Sequence, residues 1–256
     1  MARREIIRLK VTGSTNSVAL ERGEKGAAPG TVVVADSQTG GRGRLKRSWL
    51  SPPGMGLYFS LLLRPELAVE SLPKITLAAG LAICKTVESE YAVFPQIKWP
   101  NDLLLDGRKF GGILTETGDL QNISNRQKPF VVVGVGLNLY PPESGFPPEL
   151  MGRATSLSLH TDKKISADIL LEACVNAIEE VVQSLEKGYF SKILSAWKQR
   201  DAAQGKILTW VTPHGKKLAG VSLGPDADGI LHIRDQKGTI HEVLSGDVNL
   251  VGKILE

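Results

Sequence analysis

The chain has 256 residues, of which 42% are hydrophobic and 23% charged, with a net charge of +4. That is the composition of a globular protein with room for one large unit, or a medium and a small one, and the mild positive charge fits an anionic ligand without demanding nucleic acid. No apolar run reaches the ~20 residues of a membrane-spanning helix, Arg8 and Lys10 break the Ile6–Val11 run that a signal sequence would need, and two isolated cysteines, Cys84 and Cys174, read as core residues of a reducing, cytoplasmic compartment.

In chain order, residues 6–11 make a short strand. The loop Gly13-Ser14-Thr15-Asn16 follows and caps a helix over Ser17–Arg22. Thr31–Ala35 is a buried strand that delivers Asp36, Ser37 and Gln38 to a glycine-rich segment. That segment carries Arg42, Arg44, Lys46 and Arg47 between Gly40, Gly41, Gly43 and a closing Trp49. Arginine forks match phosphate and carboxylate oxygens, so the stretch reads as a cationic flap over an anionic ligand; taken alone it is equally a solvated basic loop. Leu57–Leu63 is a strand. Ser71 and Pro73 start a helix to about Glu90. Ile97–Trp99 is a short strand stopped by Pro100, with Asn101-Asp102 at its end. Leu103–Glu116 reads as a hairpin around Asp106-Gly107. Residues 117–128 form a polar loop, and Phe130–Leu139 is a buried strand whose Gly134 and Gly136 mark a close approach to the backbone. Ser166 caps a helix to about Lys187 whose apolar stripe is Ile169, Ala173, Ala177, Val181 and Leu185, with Leu170, Ile178 and Val182 beside it, Gly188 ends it, and a second helix spans Tyr189 to about Asp201. From Gly205 short alternating runs (207–211, 217–223, 230–234, 239–244) predict a small antiparallel barrel. The expected boundary lies near 202–205, dividing the chain into residues 1–203 and 204–256.

The usual nucleotide cradles and the G-x-S-x-G elbow are missing from the sequence, and the four histidines (160, 214, 232 and 241) lack metal-ligand spacing and read as surface or packing residues. What remains is a polar set at strand ends: Ser14, Thr15, Asn16, Gln38, the flap, Asn101, Asp102, Lys109 and Asn138. If they converge, several cations, one carboxylate and neutral hydrogen-bonders suit the joining of a carboxylate to a phosphate, because cations hold both anions and offset charge developing at phosphorus. A lone Asp102 beside them can take Mg²⁺ together with substrate phosphates. Viewed alone, Lys109 is an exposed hairpin lysine and Asp102 a turn residue.

Five segments in one order resemble the biotin–protein ligase (biotin–[acetyl-CoA-carboxylase] ligase) family: STN at 14–16, DSQTGGRGR at 36–44, W-x-S-P-x-G-x-G-L-Y-F-S at 49–60, KWPNDLLLDGRKFGGILTE at 98–116 and VGVGLNL at 133–139. The resemblance implies an α+β fold: a mixed or antiparallel sheet backed by helices 72–90 and 166–201, as in a class II synthetase-like catalytic domain, with an SH3-like C-terminal barrel. It implies activation of biotin with ATP and Mg²⁺ to biotinyl-5′-AMP, then transfer to a lysine of a biotin carboxyl carrier. By the same resemblance Ser14, Thr15, Asn16, Gln38, Arg42, Gly43, Arg44, Lys109, Gly111 and Gly112 bind biotin. Arg42, Arg44, Arg47, Trp49, Asn101, Lys109 and Asn138 bind ATP or the adenylate, Lys109, Arg44 and Asp102 are the catalytic set, and Asp102 is the metal ligand.

Two departures stand out. Lys46 replaces a flap glycine, which makes the flap stiffer or more cationic. The chain also begins almost at the first strand, so a ligase without a DNA-binding repressor domain is expected. An exposed strand edge near Phe130–Asn138 is expected to pair with the carrier or with a second subunit. Three other readings stay open: a lipoate or octanoate ligase, which would want a more apolar pocket; a basic nucleic-acid-binding module, against which 5% aromatic content argues; and an adenylate sensor without transfer activity.

Overall fold

The apolar runs of the first half pair into one seven-stranded sheet. A computed structural model describes residues 4–118, 129–211, 217–243 and 248–250. Its elements are β1 (Ile6–Thr12), α1 (Thr15–Glu24), β2 (Val32–Gln38), β3 (Gly56–Leu63), α2 (Leu72–Tyr91), β4 (Gln96–Lys98), β5 (Asp102–Leu105), β6 (Arg108–Thr117), β7 (Val131–Asn138), α3 (Ala167–Glu186), α4 (Phe190–Lys198) and β8 to β12 (Ile207–Val211, Lys217–Pro225, Leu231–Asp235, Ile240–Val243 and Val248–Leu250). The sheet order is β1-β2-β3-β7-β6-β5-β4, with β1 and β2 parallel and the remaining pairs antiparallel. A second, five-stranded antiparallel sheet has the order β11-β10-β9-β8-β12. This is the expected mixed sheet with a small C-terminal β unit. The expected loop over 117–128 begins later, because Thr117 still belongs to β6; residues 119–128, His214 and Leu244, the end of the last expected strand, lie outside the described residues.

One face of the large sheet packs against α2 and α3, and α4 packs on those helices. Phe59, Leu61, Ile113, Val133, Val135 and Leu137 meet Ile75, Ile83, Leu170, Ile178 and Trp197 there in one buried core. The other face is covered only in part: α1 packs over β2, β3 and β7, where Ala19, Val33, Leu62, Phe130 and Val132 form a second cluster. The uncovered remainder of that face is the floor of a cleft.

Period-two alternation decides which residues reach it. On β7 the floor residues are Gly134, Gly136 and Asn138, and on β6 they are Gly112 and Leu114. A β-bulge then shifts the phase of β6. Leu103 faces Gly111, but Leu104 faces Lys109, so Phe110 has no partner on β5. Phe110 and Gly111 both turn to the core, where Phe110 is fully buried, and Lys109 emerges on the cleft face. A bulge re-aims a side chain in this way; without it Lys109 would point into the hydrophobic core.

Local expectations hold at several joints. The Asp106-Gly107 turn has φ values of 48° and 73°, the pair of positive values a two-residue hairpin turn needs. The Ser166 hydroxyl accepts from the Ile169 amide, and Gly188 has φ +80°. Others are corrected. Thr15 and Asn16 belong to the first turn of α1, and Ser14 stands at its N-cap without a side-chain capping bond; all three are buried, and the Thr15 and Asn16 side chains bond to residues of the sheet. The buried face of α3 is Leu170, Leu171, Cys174, Val175, Ile178, Val182 and Leu185, while Ile169 is exposed. A strict i, i+4 row drifts about 40° per step round a helix, so its first member leaves the face that its last member shares. The expected open edge at 130–138 does not exist: β7 is bonded to β3 on one side and β6 on the other. An apolar run buried on both faces is an interior strand. The outer strands are β1 and β4, and β4 is itself bonded along residues 200–202, through Ile97 N to Arg200 O and Ala202 N to Ile97 O. Among the described residues no helix is long and apolar enough to cross a membrane.

Candidate active site

A cavity of about 790 Å³ opens on the uncovered face. Its walls are the flap, the 98–104 corner, β6, β7 and the 140–154 connection, with Val248 of the C-terminal sheet at one side.

Behind Gly134 lies a network of neutral hydrogen-bonders, and none of its members Thr15, Asn16, Gln38, Ser51 and Ser60 lines the cavity itself. The Gln38 carboxamide oxygen accepts from the Thr15 amide (2.8 Å) and hydroxyl (3.2 Å), and its nitrogen donates to Ser51 Oγ (2.9 Å). Ser60 Oγ lies 2.8 Å from Thr15 Oγ1 and 2.5 Å from Asn16 Oδ1. Asn16 Nδ2 donates to Leu114 O (3.1 Å) and Glu116 Oε2 (2.8 Å). This close fit explains Gly134, since a Cβ there would sit 2.0 Å from Asn16 Oδ1. The network offers both donors and acceptors without net charge, which suits a small neutral polar ring.

Toward the middle of the cleft the chemistry becomes ionic. Lys109 Nζ lies 2.5 Å from Asp102 Oδ1, and Lys98 Nζ lies 3.4 Å from Asp102 Oδ2. Lys98 and Asp102 are cross-strand partners on β4 and β5, joined through the cis Trp99–Pro100 bond. The Lys109 backbone is clamped by the 153–155 segment: its N–H donates to Arg153 O (2.8 Å) and its carbonyl accepts from Thr155 N (2.9 Å). The lysine is therefore fixed at backbone and head group alike.

Trp49 lies across the glycine floor. A Cβ at Gly136 would be 2.6 Å from its Nε1, and one at Gly112 would be 3.3 Å from its ring. Lys109 Nζ stands 5.2 Å from the ring centroid. The indole N–H is buried against Gly136 without a hydrogen-bond partner. The expected close approach at Gly134 and Gly136 is thus made by Asn16 and Trp49.

The flap is a folded hairpin. Arg42 and Ser48 are bridged, Gly43 N donates to Arg47 O, and Trp49 N donates to Gly41 O. At its tip Leu45 (φ 55°) and Lys46 (φ 60°) are both left-handed. The backbone at Lys46 therefore has the geometry that glycine favours. Gly43, Arg44 and Arg47 line the cavity. Arg42 turns instead to Glu116, 2.6 Å away.

The remaining expected residues divide between wall and scaffold. Asn138 lines the cavity and donates to Thr155 O. Asn101 lines it too, but its side chain donates to Ile113 O and holds the corner against β6. Gly111 presents its α-carbon to Leu137 and Leu103 in the core, so its smallness serves packing. Among the described residues no three His, Cys, Asp or Glu side chains form a group that could hold a metal. Both Asp102 oxygens face ammonium groups, so the donor set does not fit a protein-held Mg²⁺, and only an ion carried in by substrate phosphates agrees with it. His160 sits between Asp106 and Thr155, His232 bonds Asp226 and His241 bonds Asp235, the packing roles expected of them.

Sequence reasoning missed Lys98, Ser51, Ser60, Glu116 and Arg153. Two had a signal: Ser60 is the lone polar residue after the aromatics of an otherwise apolar strand, and Lys98 stands four residues before Asp102 across a tight corner.

A profile of the biotin/lipoate A/B protein ligase family matches residues 9–138. The chain is 35% identical over 240 residues to the bifunctional ligase/repressor BirA of Bacillus subtilis, covering 94% of this chain and 72% of that one. It is 32% identical to the biotin–[acetyl-CoA-carboxylase] ligase of Mycobacterium tuberculosis, covering 93% and 85%. The structure of the biotin protein ligase from Aquifex aeolicus in complex with biotin and ATP superposes with a TM-score of 0.81 at 30% identity, covering 97% of this chain and 99% of that one.

Proposed function

Since the chain belongs to the biotin/lipoate A/B protein ligase family, among its biotin protein ligases, we propose that it runs two steps in this one cleft: adenylation of biotin by MgATP, then transfer of biotin to a lysine of a biotin carboxyl carrier. In the first step the biotin carboxylate attacks the α-phosphorus and pyrophosphate leaves. Both reactants are anions, so the cost is charge repulsion, and preorganised cations offset it as charge builds at phosphorus. In this reading Lys109 bridges the carboxylate and the α-phosphate, and Arg44 and Arg47 of the flap bind the phosphate oxygens. Thr15, Asn16 and Gln38 take the ureido ring. In the second step a neutral carrier amine attacks the acyl carbon and AMP leaves with the bonding pair. Asp102 orients Lys109 for the first step and takes the amine's proton in the second.

The observation that carries this reading is that the neutral Thr15–Gln38–Ser60–Asn16 network, on α1, β2 and β3, and the Lys98–Asp102–Lys109 charge chain, on β4, β5 and β6, lie on the same side of one sheet with β7 between them. A fatty substrate has no donor or acceptor to exchange with this network and gains no hydrogen bond from it. Acid-quenched mass spectrometry of the protein with MgATP and biotin, beside octanoate, lipoate and a Lys109→Ala variant, tests the first step. A biotinyl-adenylate peak that collapses in the variant is expected; octanoyl- or lipoyl-adenylate in its place would overturn the pocket assignment. An Asp102→Asn variant with full transfer to carrier would remove Asp102 as the proton acceptor.

A further inference from the structure

One oxygen of Glu116 holds two parts of the site that the sequence keeps far apart. Glu116 Oε2 accepts from Arg42 of the flap at 2.6 Å and from Asn16 of α1 at 2.8 Å. The side chain is 26% exposed and stands on β6 beside, not inside, the cavity. It touches neither Lys109 nor Asp102. We propose that Glu116 is a positioning residue: a latch that holds the cationic flap down on the sheet and at the same time sets the polarity of the neutral network.

The second half follows from the donors. Asn16 Nδ2 gives its two hydrogens to Glu116 and to Leu114 O. The amide is thereby fixed with Oδ1 toward Ser60 and its nitrogen away from it. A flipped amide would set its oxygen against a carboxylate and a carbonyl, three acceptors with no proton among them. Glu116 thus dictates which end of Asn16 the network sees. The first half follows from charge. Arg42 and the Glu116 carboxylate compensate each other only while the flap is down. When it lifts, the carboxylate keeps a single neutral donor, so closure has an ionic component supplied by a residue that contacts no reactant.

In the proposed ligase the latch governs how well biotin is held and how long its adenylate is retained, and that half rests on the function proposed above. The other half, flap closure in the free protein, does not. Trypsin reads it directly, because the flap contains Arg42, Arg44, Lys46 and Arg47. When opening is fast relative to cutting, the cleavage rate follows the open population. Glu116→Gln keeps an acceptor for Asn16 but removes the charge that Arg42 needs. For a partly exposed pair it should speed flap cleavage about fivefold at low salt. Cuts elsewhere and the Tm should stay unchanged, and the difference should shrink in high salt. Arg42→Gln should match it at the remaining flap sites, and the double variant should cut no faster than either single one. With biotin and ATP, Glu116→Gln should raise the KM for biotin with kcat for adenylation held, and Glu116→Ala should add to this by freeing Asn16.

Equal cleavage of wild type and Glu116→Gln, or additive effects of the two substitutions, would overturn the latch. So would faster cutting at all sites with a fallen Tm, which marks a merely structural role. If no biotinyl-adenylate forms in wild type while flap cleavage still responds to Glu116→Gln, the ligase assignment fails and the latch stands.

Discussion

Gly134→Ala is the smallest change that should disable the site from beneath. An added Cβ would lie 2.0 Å from Asn16 Oδ1, 2.7 Å from its Cγ and 2.8 Å from its Nδ2, where real Cβ atoms essentially never come closer than 3.0 Å. Asn16 must retreat by about 1 Å or more, and it has nowhere to go. It is buried in the first turn of α1 and held by bonds to Leu114 O, Glu116 Oε2 and Ser60 Oγ. Two or three bonds break, at about 1 kcal/mol for each neutral one and somewhat more for the charged one, discounted for exposure. The sum is about 2–4 kcal/mol. For a chain of this size 1 kcal/mol moves Tm by about 2–4 °C, so a fall of roughly 5–15 °C is expected in a thermal melt. Biotin binding, read by calorimetry on the variant at 10 °C where it is still folded, should weaken at least tenfold. Gly13→Ala is the control, because nothing lies within 4 Å of a Cβ there. A Gly134→Ala melt within 1 °C of wild type would refute the reasoning, for it would mean that the network yields freely.

Four further outcomes are expected. Lys46→Val should loosen the flap, because a β-branched residue tolerates φ 60° poorly, while Lys46→Gly should be neutral or better; the ratio of their flap-cleavage rates by trypsin at Arg44 and Arg47 checks this. Replacing Lys98 by Met should lower the adenylation rate about tenfold or more, measured by rapid quench, because Asp102 then faces Lys109 alone and a cation leaves the cleft. Burial pulls Asp226 up, but the Ile230 and Asp228 amides and His232 outweigh it and hold the carboxyl below its ordinary value. A lowered carboxyl contributes stability that is present above its unfolded value of about 3.9 and is lost as pH falls through the folded one, so Asp226→Asn should lower Tm at pH 7 and flatten its fall below about pH 4. Burial pushes the Cys84 thiol up to about 12 and Cys174 likewise upward, so iodoacetamide at pH 8 should label neither in the native protein and both in urea, as mass spectrometry would show.

What was legible in the sequence was local. Asp106-Gly107 marks its hairpin because only certain residues accept two consecutive positive φ values, and Ser166 marks the start of α3 because a hydroxyl there meets an orphan amide. The polar set at strand ends was legible as well, and most of it does converge on one face. What was not legible depends on pairing over long separations. Nothing in FVVVGVGLNL says that its neighbours are β3 and β6, which leaves no free edge there. Ser60 and Glu116 acquire meaning only from partners 44 and 100 residues away along the chain. Arg42 sits in a motif that reads as ligand-binding, yet its guanidinium is directed at a carboxylate of the scaffold. The left-handed backbone at Lys46 is hidden because lysine there gives no sign of the geometry.

The unpaired Phe110 has a consequence for how this enzyme can tolerate change in length. On either side of it β6 runs in opposite phase: Lys109 and Gly112 both face the cleft although three positions separate them, where plain alternation needs an even number. The orientation of Lys109 is therefore a count rather than a contact. Substitutions at 110 or 111 alter packing and leave that count intact. Losing or gaining a single residue at 110–111 makes the spacing even, so Lys109 stays in the cleft by ordinary alternation and the cost falls on the core that Phe110 fills. Losing or gaining two keeps the spacing odd and needs a bulge again. Tolerance to insertion and deletion between Lys109 and Gly112 should therefore favour odd changes over even ones, and a library scored for retained adenylation would display that parity directly.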